Sequence, residues 1–167
     1  PEAGEQCDDG NADSTDACTA TCRRAVCGDG NHQLGVEECD DGNLDLTDSC
    51  VSNCRLARCG DGHQQAGIEA CDDGNLSNAD ACLSDCRAAT CGDGFIRQGL
   101  GEGDPGYEAC DDANKNNTDS CTDLCVAARC GDGNLHLGVE ECDDGNGAND
   151  DACIENCIGA SCGDGFT

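Results

Sequence analysis

Carboxylate side chains recur at fixed distances from cysteines along this chain, and this is its clearest chemical pattern. A cysteine is followed by two Asp, a Gly and an Asn at 8–11, 40–43, 72–75 and 143–146, and the copy at 111–114 has Ala in place of Gly. A Glu stands two residues before each of these cysteines, an Asp stands two before the next cysteine, and another Asp lies in a Cys-Gly-Asp-Gly string. Clustered oxygen ligands of this kind suit a hard divalent cation.

We expect Ca²⁺ at about one or more ions per repeat, because several carboxylates in one small loop repel each other without a cation. Mg²⁺ fits less well, since it keeps water and demands an octahedron. The Asp-x-Asp-x-Asp-Gly spacing of an EF-hand is missing. The alternative is a solvated acidic coat that keeps the protein soluble. The candidate ligands are Glu5, Asp8, Asp9, Asn11, Asp16, Asp29, Glu37, Asp40, Asp41, Asn43, Asp48, Asp61, Glu69, Asp72, Asp73, Asn75, Asp80, Asp93, Glu108, Asp111, Asp112, Asn114, Asp119, Asp132, Glu140, Asp143, Asp144, Asn146, Asp151 and Asp164.

The chain has 20 cysteines, and an even, regularly spaced number predicts ten disulfides formed in an oxidising compartment. Pairing within each repeat is the simplest arrangement, although four cysteines allow three pairings. Zinc is disfavoured, because the spacing is atypical and the three histidines occupy different positions in their repeats. The predicted disulfide cysteines are Cys7, Cys18, Cys22, Cys27, Cys39, Cys50, Cys54, Cys59, Cys71, Cys82, Cys86, Cys91, Cys110, Cys121, Cys125, Cys130, Cys142, Cys153, Cys157 and Cys162.

An internal repeat positions these side chains. The first cysteine of the pattern recurs at steps of 32, 32, 39 and 32 residues, and each repeat has the spacing Cys-x10-Cys-x3-Cys-x4-Cys. We call these the first, second, third and fourth cysteines of a repeat. The longer step reflects an insertion near 100–106, a loop followed by Tyr107 that is either a contact surface or a tolerated insertion. The repeats are assigned to 1–30, 31–62, 63–94, 95–133 and 134–167.

The ends of the chain fit the same period. Two residues follow Gly165 and six precede Cys7, and eight residues separate Gly30 from Cys39. We therefore expect a further copy to continue in phase, either in a longer repeat protein or in a head-to-tail polymer. The alternative is a chain cut at repeat boundaries. The chain starts at Pro1 without a signal-peptide pattern, so we expect a mature protein or an excised piece of one.

The composition excludes several classes of protein. Leu, Ile, Val and Phe make up about 13% of the chain, which is too little for an ordinary hydrophobic core at this net charge. No apolar run is long enough to span a membrane. The formal net charge of -28 makes nucleic acid an unfavourable partner, since phosphate would be repelled. Disulfides or metals must therefore stabilise the fold.

The predicted fold class is a small disulfide-rich tandem repeat, an elongated solenoid-like rod with little regular secondary structure. Gly-Asn and Asp-Gly pairs indicate tight turns. The segment 31–38 is expected to be a small hairpin or an extended linker. Single helical turns are expected at 16–22, where Thr15 or Asp16 could cap the free amides and Cys18 and Cys22 would share a face.

The combined pattern resembles a known family. The Gly-x-Glu-x-Cys-Asp-Asp-Gly-Asn string, followed by Asp-x-Cys-x-x-x-Cys and Cys-Gly-Asp-Gly, is similar to the Myxococcus-type cysteine-rich disulfide repeat over the whole chain. That repeat occurs in secreted bacterial and protist proteins and in pappalysin-like metalloproteases, so the resemblance implies an extracellular protein. Two positions depart from the pattern, since Ala3 precedes Gly4-Glu5 and Ala113 replaces a glycine.

The sequence favours an extracellular structural protein that forms a filament or fibre, with copies of itself as partners, head-to-tail and also side by side. The alternative is a secreted adhesin or the substrate-recognition module of a larger protein, with its distinctive surface near Tyr107. An enzyme is not expected, because no nucleophile with a positioned His, no His-Glu-x-x-His and no phosphate loop is present. The abundant carboxylates recur five times, which suits ion binding better than one active site.

Overall fold

The computed structural model of the protein describes residues 4–165. These residues divide into two compact units, one formed by 4–77 with Cys82–Ala88 and the other by Asn78–Ala81 with 89–165. Regular secondary structure is nearly absent, as the composition predicts. The described part of the chain contains four strands of two residues each, and no helix.

The recurring element is a short antiparallel hairpin that begins at the second cysteine of each repeat. In the first unit, β1 (Cys50–Val51) pairs with β2 (Arg55–Leu56). In the second unit, β3 (Cys153–Ile154) pairs with β4 (Ile158–Gly159). Single bridges mark the same hairpin in the other repeats, at Cys18↔Arg24, Cys82↔Ala88 and Cys121↔Ala127. The prediction of short hairpins is confirmed.

The helical turn predicted at 16–22 is wrong, because a cysteine reverses the chain there. The amide of Cys22 donates to the carbonyl of Thr19 at 2.8 Å, and the amide of Thr19 donates to the carbonyl of Arg23 at 2.8 Å. Cys22 has φ 54°, in the left-handed region. This is a tight turn followed by a bulge residue, a position that usually prefers glycine. The third cysteine has the same conformation in every repeat, at Cys22, Cys54, Cys86, Cys125 and Cys157.

The segment predicted as a hairpin or linker at 31–38 is a linker with one turn. Val36 and Glu37 donate their amides to the carbonyl of Gln33. Leu34 donates its amide to the carbonyl of Thr15 in the preceding repeat at 2.8 Å. The linker therefore ties one repeat to the one before it.

The disulfides divide into two classes, and one class differs from the prediction. Five bridges join the first and second cysteines of a repeat, 11 residues apart: Cys7–Cys18, Cys39–Cys50, Cys71–Cys82, Cys110–Cys121 and Cys142–Cys153. Four bridges join the fourth cysteine of one repeat to the third cysteine of the next: Cys27–Cys54, Cys59–Cys86, Cys91–Cys125 and Cys130–Cys157. The prediction of ten bridges confined within repeats is wrong, because there are nine and four of them cross a repeat boundary.

The fourth cysteine crosses the boundary because the turn that it opens packs against the next repeat. A Cβ at Gly28 would lie 2.6 Å from the carbonyl oxygen of Asn43. The turn can approach this closely only without a side chain, and Gly28 also has φ 84°. Cys22 and Cys162 are the two cysteines without a bridge. They are the third cysteine of the first repeat and the fourth cysteine of the last.

The buried interior consists largely of sulfur. The third cysteine is 1–3% exposed wherever it is bridged, and the second cysteine is 2–4% exposed throughout. Each repeat adds one buried side chain directly after the second cysteine: Thr19, Val51, Leu83, Thr122 or Ile154. Most large apolar side chains remain exposed, for example Ile68 at 76%. Disulfides thus replace apolar burial as the main constraint on the chain.

Candidate metal loops and the junction between repeats

The first Asp after the first cysteine accepts hydrogen bonds across the repeat boundary. Asp40 Oδ2 accepts from the amides of Gly28 at 2.7 Å and Asp29 at 3.3 Å. Asp40 Oδ1 accepts from Gly30 at 2.8 Å and from Gly42 in its own loop at 2.9 Å. Four N–H donors therefore occupy the acceptor positions of one carboxylate. A cation would be repelled by the donors that surround this group.

The same arrangement recurs at three further junctions. Asp72 accepts from Gly60, Asp61 and Gly62, Asp111 from Gly92, Asp93 and Gly94, and Asp143 from Gly131 and Gly133. Burial alone would raise the pKa of Asp40, but the backbone N–H groups outweigh it, so the pKa lies below its usual range. The pKa values of Asp72, Asp111 and Asp143 are lowered by the same balance. The structure therefore gives these four candidate ligands a joining role.

Two more classes of candidate ligand support the backbone locally. The Glu before the first cysteine accepts an amide in the linker, as in Glu37 with Gln33 at 2.8 Å, and Glu69, Glu108 and Glu140 do the same. The Asp of the Cys-Gly-Asp-Gly string closes its own turn. Asp29 Oδ2 accepts from Val26 and Oδ1 accepts from Asn31, and Asp61, Asp93 and Asp132 repeat this pattern. Asp164 accepts from the amide of Ser161 in the same way.

Several groups of cysteine and acidic atoms lie close enough together to hold a metal ion. Within each group the candidate atoms are within 4.8 Å of one another. The sulfur atoms in these groups belong to disulfides, so they are not thiolate ligands, and each Asp is the amide-bound residue just described. The groups therefore coincide with the junctions between repeats. They are Glu37, Asp40 and Cys54; Cys59, Asp72 and Cys86; Cys91, Asp111 and Cys125; and Glu140, Asp143 and Cys157.

The remaining candidates come together in an open loop, best seen in the first repeat. Asp9 Oδ1 accepts the amide of Asn11 at 3.2 Å, and Asn11 Oδ1 accepts the amide of Asp13 at 2.5 Å. Asp13 Oδ1 accepts the amide of Thr15 at 2.9 Å. Asp16 accepts the side-chain amide of Asn11 at 3.0 Å. Oxygen-bearing side chains thus occupy alternate positions, with Asp16 closing the loop. We call residues 9–16, and the equivalent residues of the other repeats, the Asp loop.

The Asp loop brings two carboxyl groups into contact. The pKa of Asp16 is lowered first by the Asn11 side chain and then by the Cys18 amide, and the carboxyl of Asp9 lies within hydrogen-bonding reach. The pairs Asp112 with Asp119 and Asp144 with Asp151 are equivalent. Two ionised carboxylates in contact repel each other unless a proton or a cation lies between them. A divalent cation bound between the two carboxyl groups would relieve this repulsion.

A buried oxygen in the fourth repeat lacks a donor. Asp112 Oδ2 is buried and has no hydrogen-bond partner among the described residues. A buried carboxylate oxygen needs a donor or a positive charge. An ion bound between Asp112 and Asp119 would supply that charge, and carboxylate and amide oxygens are the ligands that Ca²⁺ takes.

One member of the loop is absent from the predicted ligands. Asp13 lies two residues after Asn11, and Asp45 and Asn116 occupy the same position in two other repeats. The Thr47 amide and hydroxyl lower the pKa of Asp45, so this carboxyl is ionised at neutral pH. The alternation of oxygen-bearing residues from Asp9 to Asp13 was the available signal. Ser77 and Ala148 hold this position in the other two repeats.

The structure therefore divides the predicted ligands into two sets. By position, the Asp loops contain Asp9, Asn11, Asp16, Asp41, Asn43, Asp48, Asp73, Asn75, Asp80, Asp112, Asn114, Asp119, Asp144, Asn146 and Asp151. Glu5 hydrogen-bonds the Cys22 thiol, and the remaining acids accept backbone amides in turns and junctions. No family model matches the chain, and no solved structure matches it. Among the described residues, no helix has the length and apolar character needed to cross a membrane.

Proposed function

We propose that this protein is an extracellular structural protein, a Ca²⁺-binding, disulfide-bonded tandem repeat that assembles into a filament from copies of itself. The observation that carries the proposal is the disulfide between the fourth cysteine of one repeat and the third cysteine of the next, which occurs four times. A covalent bond at each repeat boundary resists pulling and unfolding. Such bonds persist in the oxidising setting outside the cell.

Calcium is supported by the balance of charge. The chain has 36 acidic and 8 basic residues, and two ion pairs, Arg58–Glu38 and Arg87–Asp85, form among the described residues. Both pairs are exposed and contribute little to stability. Cations from solution are therefore the available source of positive charge for the Asp loops. Extracellular Ca²⁺ is abundant enough for loops that bind it weakly.

Electron microscopy of the full chain tests the filament. We would incubate the oxidised protein with Ca²⁺ and, separately, with an excess of chelator, and image both samples. Filaments in Ca²⁺ that shorten or disappear in chelator are the expected result. Particles that remain single chains at all concentrations would refute the filament and favour a binding module. If the filaments keep their length in chelator, the structural role is retained, but Ca²⁺ is not needed for assembly.

A further inference from the structure

The two unbridged cysteines are complementary. Every other third cysteine is bonded to a fourth cysteine from the preceding repeat, and every other fourth cysteine is bonded to a third cysteine in the following repeat. Cys22 is a third cysteine and Cys162 is a fourth cysteine. Cys22 is half-buried and has the same left-handed backbone as its bridged counterparts, with φ 54° against 53° at Cys54. Cys162 is exposed.

The hydrogen bonds of the junction are also half complete beside each of these cysteines. Asp8 corresponds to Asp40, but among residues 4–165 it accepts a backbone amide from Gly10 in its own loop alone, at 3.0 Å. Gly163 and Gly165 correspond to Gly28 and Gly30, and their amides have no carboxylate acceptor among the described residues. Asp8 is therefore a carboxylate that lacks the amide donors of a neighbouring turn. The turn of Gly163 and Gly165 has those amide donors but lacks a carboxylate to accept from them.

Glycine packing differs between the internal junctions and these two surfaces. At the internal junctions, a Cβ placed on Gly42 would lie 3.5 Å from Gly30 Cα, and Gly74 and Gly145 meet Gly62 and Gly133 in the same way. A Cβ placed on Gly10, Gly163 or Gly165 would meet nothing within 4 Å. Their positive φ values, 80°, 102° and 96°, call for glycine in any case. The space that a partner glycine or carbonyl fills at the internal junctions is open beside these three among the described residues.

We propose that the surface around Cys22 and Asp8 binds the Cys162–Gly165 turn of a second copy of this chain, and that Cys162 of that copy forms a disulfide with Cys22. The amides of Gly163 and Gly165 then donate to Asp8, as those of Gly28 and Gly30 donate to Asp40. This inference rests on the proposed filament and specifies the bond that joins its subunits. Continuity with four internal junctions of identical chemistry argues for a copy of this chain as the occupant.

The bond forms by thiol–disulfide exchange with a small oxidised thiol such as glutathione disulfide. The Cys162 thiolate attacks the small disulfide, releases one thiolate and becomes a mixed disulfide. The Cys22 thiolate of the other copy then attacks the Cys162 sulfur and releases the second small thiolate. Two protein thiols lose two protons and two electrons, and the small disulfide is reduced to two thiols. Seating the turn on Asp8 places the two sulfur atoms side by side.

Two single variants and their mixture test the junction. We would prepare the full chain, Cys22→Ser and Cys162→Ser, confirm nine disulfides in each by mass, and add glutathione disulfide in the presence of Ca²⁺. On non-reducing gels, the wild type should form a ladder of covalent multimers. Each variant alone should stay a monomer, while the mixture should form a dimer and nothing longer. Peptide mapping should locate the bridge between Cys162 and Cys22.

Asp8→Asn tests the seating of the turn. Asn keeps the oxygen that accepts from Gly10 but loses the charged acceptor, so ladder formation should slow by about tenfold. The control Glu102→Gln, an exposed residue of the insertion, should leave the rate unchanged. Equal rates for Asp8→Asn and wild type would overturn the seating.

The outcomes separate this inference from the filament. Dimers formed equally well by each variant alone would show nonspecific oxidation and overturn the junction. Wild type that loses two thiols while it stays a monomer would show ring closure or capping by glutathione, and would also overturn it. If Cys22→Ser forms filaments as long as those of wild type, the proposed disulfide between copies is refuted and the proposed filament is retained. Neither ladder nor filament from the wild type would refute both.

Discussion

The carboxylate of Asp40 accepts a hydrogen bond from the amide of Gly28 at 2.7 Å, across a repeat boundary that the Cys27–Cys54 disulfide also spans. The bond and the bridge are two parts of one junction. An acid that stands beside a cysteine in the sequence thus fixes the position of the turn that carries the other cysteine. Removing the charge should therefore loosen the turn while the disulfide stays intact.

Asp40→Asn should weaken this junction. The Asn side chain has one acceptor oxygen, and its NH₂ group would face N–H donors, so at least one charge-assisted hydrogen bond is lost, at a cost of about 1–3 kcal/mol. Amide hydrogen exchange should become faster at Gly28 and Gly30. The matched control is Asp41→Asn in calcium-free buffer, since Asp41 is the exposed neighbour. Equal protection of the two glycines in both variants would contradict the role of Asp40.

The same carboxylates should make the junctions sensitive to acid. The native pKa of Asp40 is held below that of an unfolded Asp, which is about 3.9. The stabilisation is therefore fully present above about pH 4 and is lost as the pH falls through the lower native pKa. NMR titration of the side-chain carboxyl carbons should give Asp40 and Asp72 midpoints below that of a peptide Asp. Midpoints at or above the peptide value would contradict the N–H contacts.

Charge removal in one Asp loop should weaken one ion site. The double variant Asp9→Asn and Asp13→Asn keeps the oxygens but removes two charges, so Ca²⁺ affinity at this loop should fall about tenfold or more. Native mass spectrometry should detect fewer bound ions than in wild type at limiting Ca²⁺. The control Asp123→Asn with Glu155→Gln removes two exposed charges outside the loops. An equal loss of bound Ca²⁺ in both variants would mean that binding depends only on the net charge of the protein, and would contradict a site in the loop.

Cys22 should react slowly with alkylating reagents. Burial first, and then the charge and hydrogen bond of Glu5, raise the pKa of its thiol, so less thiolate is present at neutral pH. With iodoacetamide at pH 7.5 in calcium-free buffer, Cys22 should react several-fold more slowly than a cysteine in an unstructured peptide. Glu5→Gln should bring its rate closer to that of the peptide. A wild-type rate at or above the peptide rate would contradict the raised pKa.

Spacing alone was sufficient for some of these features. The period, the disulfide-rich class and the short hairpins follow from cysteines at fixed steps and a shortage of apolar residues. The bridge between Cys7 and Cys18 falls within its repeat, as the simplest pairing has it. The helical turn failed because local spacing allowed Cys18 and Cys22 to share a helix face, whereas Cys22 is a left-handed bulge residue in a hairpin.

Other features depend on the fold. Asp40 and Asp41 are adjacent acids of the same type, but Asp40 faces amides of the preceding repeat, and Asp41 belongs to the exposed loop. No sequence rule separates them, because the amide donors come from a turn 10 to 12 residues before Asp40. The same turn follows Cys27 and packs against the next repeat. This packing places Cys27 beside Cys54, with which it forms a disulfide. The crossing bridges are therefore set by packing.

The bridges across repeats set the order in which the cysteines can pair as the chain is synthesised. Cys7 and Cys18 can pair as soon as 11 further residues have emerged, but Cys27 must wait 27 residues for Cys54. At 5–20 residues per second of synthesis, that delay is roughly one to five seconds. If the chain enters an oxidising compartment amino end first, as the proposed extracellular role requires, the fourth cysteine of each repeat stays a thiol until the next repeat has followed it. The bridges across repeats would then form one after another, in the direction of synthesis.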